Sequence, residues 1–269
     1  MNVGVKPQNP VVNRSHPLAK GLAAALPMQD GGGGILRDVS GHGRDAALYL
    51  YGGVPVPQFK QTPYGGGIDP SAKAPGMDMY MFVGQLGRTV SVLFKADSLQ
   101  ANYSFGSYGP GWTNRWYMQL QSDGTIDTRI GSAGAVTSSI GYSVGEWIHY
   151  VVTYDGAYAN AYINGVLGSS QANSTLVGDV AGRPTIGGFN EAGYVLDGVI
   201  ADVRIWNRGL KASEVAALYQ DPWDLYRPAR PVRDMYRAKP GIAVKSKGNK
   251  LLQTSRNFSM WQTGFRRRR

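Results

Sequence analysis

Between residues 147 and 168 the chain reads WIHYVVTYDGAYANAYINGVLG, three runs of β-branched and aromatic residues, the last two flanking Asn164-Gly165. Such runs suit pleated strands, and Asn-Gly supplies the positive φ angles of a two-residue hairpin. The pattern recurs. Residues 89–95 (TVSVLFK) alternate, and 115–120 (RWYMQL) and 125–130 (TIDTRI) flank Asp123-Gly124 as a second hairpin of the same chemistry. Residues 194–207 (YVLDGVIADVRIWN) form a long strand whose alternation places Val199, Ala201, Val203 and Ile205 on one face. Short strands separated by Gly, Asn and Asp turns predict an all-β fold, a two-sheet antiparallel sandwich. One helix interrupts them, over 212–219, where Val215, Leu218 and Tyr219 fall at helical spacing and Pro222 soon stops it. Glu214 stands at the second position of a capping box, but Lys211 occupies the place of the Ser or Thr, so the helix start is weak.

Composition supports this reading. Among 269 residues are 37 glycines, 15 prolines and 16 tyrosines, which rules out a helix bundle or a long coiled coil. The absence of cysteine removes disulfides, thiolate metal sites and cysteine nucleophiles. No twenty-residue apolar run exists, and residues 1–20 lack the basic-then-apolar order of a secretion signal, so the expectation is a chain made in a cytoplasm that engages no membrane.

The formal charge of +10 is unevenly spread. Residues 222–269 hold 13 Lys and Arg against 2 acidic residues, while residues 1–221 hold 15 against 16. The body is about neutral and the tail strongly basic. Within the tail, Trp223, Tyr226, Arg227, Trp261 and Phe265 accompany the terminal Arg266, Arg267, Arg268 and Arg269. Aromatics among cations predict an extended arm that orders on a partner. The four arginines suit phosphate, or a protein surface; nucleic acid is a partner of the arm alone. Residues 1–19, with Pro7, Pro10 and Pro17, read as an N-terminal extended arm, and residues 20–221 as the domain between the two arms.

The order of segments resembles the laminin G-like group of the concanavalin A-like lectin/glucanase superfamily over about residues 18–221. The resemblance rests on GLAAALPM (21–28), DVSGHGRDAAL (38–48), SVLFKADSL (91–99), SDGTIDTRI (122–130), VGEWIHYVVTYDG (144–156), AYINGVLGSS (161–170), PTIGG (184–188) and LDGVIADVRIWNRGLKASEVAALY (196–219). It implies a jelly-roll sandwich of two antiparallel sheets with a short helix after the last strand. At 65–82 the family's phenylalanine-aspartate-glycine strand is replaced by GGGIDPSAKAPGMDMYMF. The strings SHPLAKGL (15–22) and QDPWDLYRP (220–228) resemble the ends of such domains in bacteriophage and uncultured-virus proteins.

Glucanases of that superfamily use paired carboxylates, usually glutamates alternating along one strand. Only Glu146, Glu191 and Glu214 are present, in a turn, a loop and the helix, and the chain is read as not an enzyme. His149, between aromatics in a strand, reads as a packing residue, and His42 has no serine in a nucleophile elbow near it. Nucleotide-binding glycine loops and HExxH are absent. The loop Asp38-Val39-Ser40-Gly41-His42-Gly43 offers hard oxygen ligands of the kind Ca²⁺ prefers. The resemblance implies a calcium held between Asp38 and the last-strand aspartate, Asp202; the alternative is that both carboxylates accept backbone N–H groups without metal. Trp112, Arg115 and Trp116, in SYGPGWTNRW, and Asn190 and Tyr194, in GGFNEAGY, are candidates to stack on sugar rings and bind hydroxyls.

Two functions follow as expectations. One is a structural protein of a phage particle, residing in the virion, a decoration, cement or tail-associated jelly roll that docks through its arms on other virion proteins and on copies of itself. The other is a calcium-dependent, lectin-like module that binds glycans.

Overall fold

The computed structural model describes residues 4–48, 58–70, 77–78, 88–99, 102–107, 116–130, 135–138, 140–172, 185–187 and 195–227. The chain divides into two units, Met1–Ala229 and Arg230–Arg269, and every described residue lies in the first. Its strands, in chain order, are β1 (Leu22–Leu26), β2 (Ile35–Leu36), β3 (Ala46–Leu48), β4 (Gln58–Thr62), β5 (Gly65–Asp69), β6 (Met77–Asp78), β7 (Arg88–Ala96) and β8 (Asn102–Ser107). There follow β9 (Trp116–Leu120), β10 (Ile126–Ile130), β11 (Ala135–Thr137), β12 (Trp147–Tyr154), β13 (Tyr158–Ile163), β14 (Val166–Ala172), β15 (Thr185–Ile186) and β16 (Gly198–Trp206). Helix α1 spans Ala212–Gln220.

An eight-stranded sheet runs β14-β13-β12-β7-β16-β5-β4, with β1 also on β16; a five-stranded sheet runs β11-β10-β9-β8-β15, and β2-β3-β6 form a small third sheet. The pairings are antiparallel. Alternation along the central strands sends Val90, Val92 and Phe94 of β7 and Ile148, Tyr150 and Val152 of β12 toward Met118, Leu120, Ile126 and Ile130 of the five-stranded sheet. This is the interior of the predicted sandwich. The hairpin at Asn164-Gly165 has φ of 52° and 78°, as predicted, so Gly165 holds a conformation that costs other residues energy. Asp123-Gly124 differs. Only Gly124 takes a positive φ, while the Asp123 carboxylate accepts from the Thr125 N–H and hydroxyl and closes a longer turn.

The outer face of the large sheet carries a second core. Leu93, Val151, Ala201 and Trp206 pack there against Val12 and Leu18 of the N-terminal segment, Val215 and Leu218 of α1, and Trp223, Leu225 and Tyr226 beyond it. Straight alternation does not hold in β16. Ile200 pairs with Phe94 and Asp202 with Leu93, leaving Ala201 as an extra, bulged residue. Ala201 therefore joins the outer core, while Val203 and Ile205 face the interior. The bulge also brings Asp202 and Arg204 to the outer face, where both meet Tyr226.

The termini of the domain are part of its packing. The Lys6 N–H donates to the Tyr64 carbonyl (2.9 Å), Asn13 N–H to Leu225 (2.9 Å), Trp223 Nε1 to Gly4 (3.1 Å) and Trp206 Nε1 to Leu18 (2.7 Å). The N-terminal arm thus lies on its own domain. Trp223 and Tyr226, predicted for a partner-binding arm, are buried, and Arg227 ion-pairs with Asp221 and approaches Asp224. The domain runs past 221 to at least Arg227, because six residues after α1 supply three large side chains to the outer core.

Candidate functional site

At the junction of three strands lies a buried polar cluster. β7 covers one edge of β16, so β1, paired with Val203–Trp206, and β5, paired at Ile200, share the other. Where they meet, the carbonyls of Pro27, Gly66 and bulged Ala201 converge, and the Lys6 ammonium donates to all three at 2.6 Å. Gly66 is needed here, since a Cβ would run into the Met28 carbonyl. Its neighbours are constrained differently: Gly65 holds a positive φ of 108°, and a Cβ at Gly67 would run into Thr62 and Val199. Burial pushes Lys6 down to about 8, against the pull of Asp202. Arg204 Nε donates to Asp202 Oδ2 (2.9 Å) and to the Tyr226 hydroxyl (3.1 Å), and its guanidinium lies 4.8 Å from the Tyr226 ring and 5.5 Å from that of Trp223. Burial raises the Asp202 carboxyl, opposed by Arg204 and Lys6, and raises the Tyr226 phenol.

Asp38 builds a turn. Its Oδ1 accepts from Ala25 N (2.9 Å) and Ser40 N (2.8 Å), and its Oδ2 from Ser40 Oγ (2.7 Å) and Arg44 N (3.0 Å). Burial works to raise its pKa, but these hydrogen bonds outweigh it and hold the carboxyl below its ordinary range. A shared calcium does not fit this pair. Both Asp38 oxygens are taken by protein donors, and Asp202 faces a guanidinium and an ammonium where Ca²⁺ would need bare oxygen ligands. Among the described residues no group of three or more His, Cys, Asp or Glu could hold a metal ion.

Trp116, predicted to stack on sugar, is 3% exposed and belongs to the interior core. Its place in β9 opposite Ile130 turns the indole inward. Trp112, Arg115, Asn190, Tyr194, Trp261, Phe265 and Arg266, Arg267, Arg268 and Arg269 lie outside the described residues. His149 is a packing residue: its Nε2 lies 2.8 Å from Ser91 Oγ, its ring stacks on Tyr219, and burial pushes it down to about 3. Glu214 is engaged by Arg208 through two hydrogen bonds (2.7 and 2.8 Å) and by the Lys211 N–H (2.9 Å). It supplies its half of the predicted capping box, and Lys211 supplies none.

An open groove of about 840 Å³ lies where the N-terminal segment meets the start of α1. Arg14, Ser15, His16, Pro17, Ala19, Lys20, Arg208, Lys211 and Glu214 line it. The groove was not legible in the sequence, because its cations come from segments nearly 190 residues apart. The inner cluster did leave a signal: Asp202 and Arg204, opposite charges two apart within a run of apolar residues, mark an internal ion pair on one strand face.

A two-sheet antiparallel sandwich whose outer face is closed by a helix and both terminal segments defines a lectin-like jelly roll. The family model described as the concanavalin A-like lectin/glucanases superfamily matches residues 81–216, half of the sequence, and the chain belongs to that superfamily. No curated protein matches the sequence. Trypanosoma rangeli sialidase in complex with sialic acid is 18% identical over 77% of this chain and 34% of its own, with a TM-score of 0.56. The chain therefore spans about a third of that enzyme's length. Domain 4 of an extracellular GH43 arabinanase from Geobacillus stearothermophilus, in complex with arabinotriose, is 20% identical over 74% of this chain and 98% of its own, with a TM-score of 0.56. The binding domain of Paraclostridial mosquitocidal protein 1 is 18% identical over 75% and 52%, also at 0.56. These likenesses are of fold.

Proposed function

We propose that this chain is a carbohydrate-binding module without hydrolytic activity. The observation that carries this reading is its similarity, within a lectin-type superfamily, to an arabinanase domain matched over almost its whole length and bound to an oligosaccharide. The carboxylates support it too. Asp38 and Asp202 are held by protein donors, Glu214 by Arg208, and Glu146 stands in an exposed turn, so these four offer no acid and nucleophile facing one bond. Trp112, Arg115, Asn190 and Tyr194 are the proposed sugar contacts, since aromatic faces and fork-like donors are what sugar rings and hydroxyls need. A glycan array probed with the full chain tests the proposal. Retention that is lost in Trp112→Ala and unchanged by chelation is expected, and no retention of any glycan would overturn it.

The finer reading of its setting is a structural protein of a virus particle. The basic, aromatic-bearing segment after Arg227 and the phage-like strings at 15–22 and 220–228 support it. In that setting the segment docks on neighbouring subunits and displays the module. Density-gradient sedimentation of a source lysate decides this: co-migration with particles is expected, and free protein at the top of the gradient would remove the virion setting.

A further inference from the structure

The groove beside α1 has an unbalanced charge. Arg14, Lys20, Arg208 and Lys211 face it together with a single carboxylate, Glu214. Arg208 grips Glu214 in a bidentate pair and also donates from Nε to the Lys20 carbonyl (2.8 Å), so those two side chains neutralise each other and fix the floor. Among the described residues no carboxylate lies within ion-pair distance of Arg14, Lys20 or Lys211. His16 brings no negative charge: its Nδ1 accepts from the Leu18 N–H (3.1 Å) and its Nε2 lies 3.1 Å from Asp224 Oδ2. Lys211 also stands at the start of α1, whose dipole adds positive potential.

The rest of the lining narrows the ligand. Pro17 and Ala19 give apolar surface, Ser15 a hydroxyl, and Arg14 and Lys20 on the N-terminal segment stand with Lys211 at the start of α1 around an open space of small-molecule size. Apolar patches under a ring, hydroxyl partners and spaced cations together suit a sugar chain carrying carboxylates. We infer that this groove binds an acidic oligosaccharide, with Arg14, Lys20 and Lys211 receiving its carboxylate groups. The inference rests on the carbohydrate-binding reading and adds to it a site built from other residues than Trp112, Arg115, Asn190 and Tyr194.

Affinity electrophoresis of the full chain tests it, with oligogalacturonate, a neutral galactan and a single-stranded oligonucleotide as probes. The basic C-terminal segment attracts any polyanion, so each variant is also made with Arg266, Arg267, Arg268 and Arg269 replaced by Gln. Lys20→Glu combined with Lys211→Glu changes only exposed side chains, and circular dichroism checks that the fold is kept. At least about a tenfold loss of oligogalacturonate affinity is expected in the double variant, in either tail background, steepening at low salt. Equal retention of galactan and oligogalacturonate, unmoved by charge reversal, would overturn the inference and leave the carbohydrate-binding reading standing. Retention of the oligonucleotide alone, lost on charge reversal, would overturn it in favour of nucleic acid. No retention of any probe at the groove would overturn it outright, and the glycan array then judges the broader reading by itself.

Discussion

Lys6 stands in a segment that reads as a plain extended arm, MNVGVKPQNPVV, yet its ammonium donates to three main-chain carbonyls at the strand junction. Lys6→Met keeps the length of the side chain but leaves two buried carbonyls and one half-buried carbonyl without this donor and Asp202 with one cation fewer. A loss of about 3–5 kcal/mol is expected from urea unfolding, against under about 0.5 kcal/mol for Val11→Ala on the exposed surface. A loss below about 1 kcal/mol at Lys6 would contradict the role given to it. His149 makes a second residue-level prediction. The unfolded chain binds a proton at 6.5, whereas the buried imidazole resists protonation until about 3. Acidification through that window therefore favours the unfolded state, and stability conferred by the neutral ring is fully present above 6.5 and declines below it, by roughly 1.4 kcal/mol per pH unit. Unfolding midpoints measured across that range should fall steeply in the wild type and less so in His149→Gln. Parallel curves would show that other groups set the acid limb.

Among the elements, the strands were the most legible, because β-branched alternation is a local property: 89–95, 147–154 and 158–163 match β7, β12 and β13 to within a residue. The helix was legible for the same reason. Alternation failed at Ala201, where a bulge that depends on the partner strand shifts the phase of β16. It is that shift which brings Asp202 and Arg204 under the terminal segments, so the polar cluster and the groove are products of tertiary contacts rather than of local pattern. The boundary after Asp221 misled for a related reason: Pro222 ends the helix, and the chain nonetheless folds back to bury Trp223, Leu225 and Tyr226. Truncation separates the two boundaries. A chain ending at Arg227 should keep its thermal midpoint within about 3 °C, whereas one ending at Asp221 should lose at least about 3–5 kcal/mol, the cost of emptying a single large aromatic site. Equal midpoints would mean that the segment after α1 contributes nothing to the fold.

For the molecule as a whole, the two layers of core divide the work. The interior between the sheets holds the sandwich, and the outer layer ties both terminal segments down beside α1, which leaves the cationic groove as an open feature at their meeting point. The superfamily contains both hydrolases and binding modules, so the distinction rests on what the chain does to a sugar it holds. Asp38, Asp202 and Glu214 are committed to hydrogen bonds and ion pairs that shape a turn, the strand junction and the helix start, and Glu146 stands in an exposed turn. Saturation-transfer NMR of the full chain with a pool of neutral and acidic oligosaccharides, followed for several days, reads binding and cleavage in one sample. The account predicts transfer of saturation to sugar protons with reducing-end anomeric signals that stay constant. Absence of any transfer, or steady growth of those anomeric signals, would contradict it.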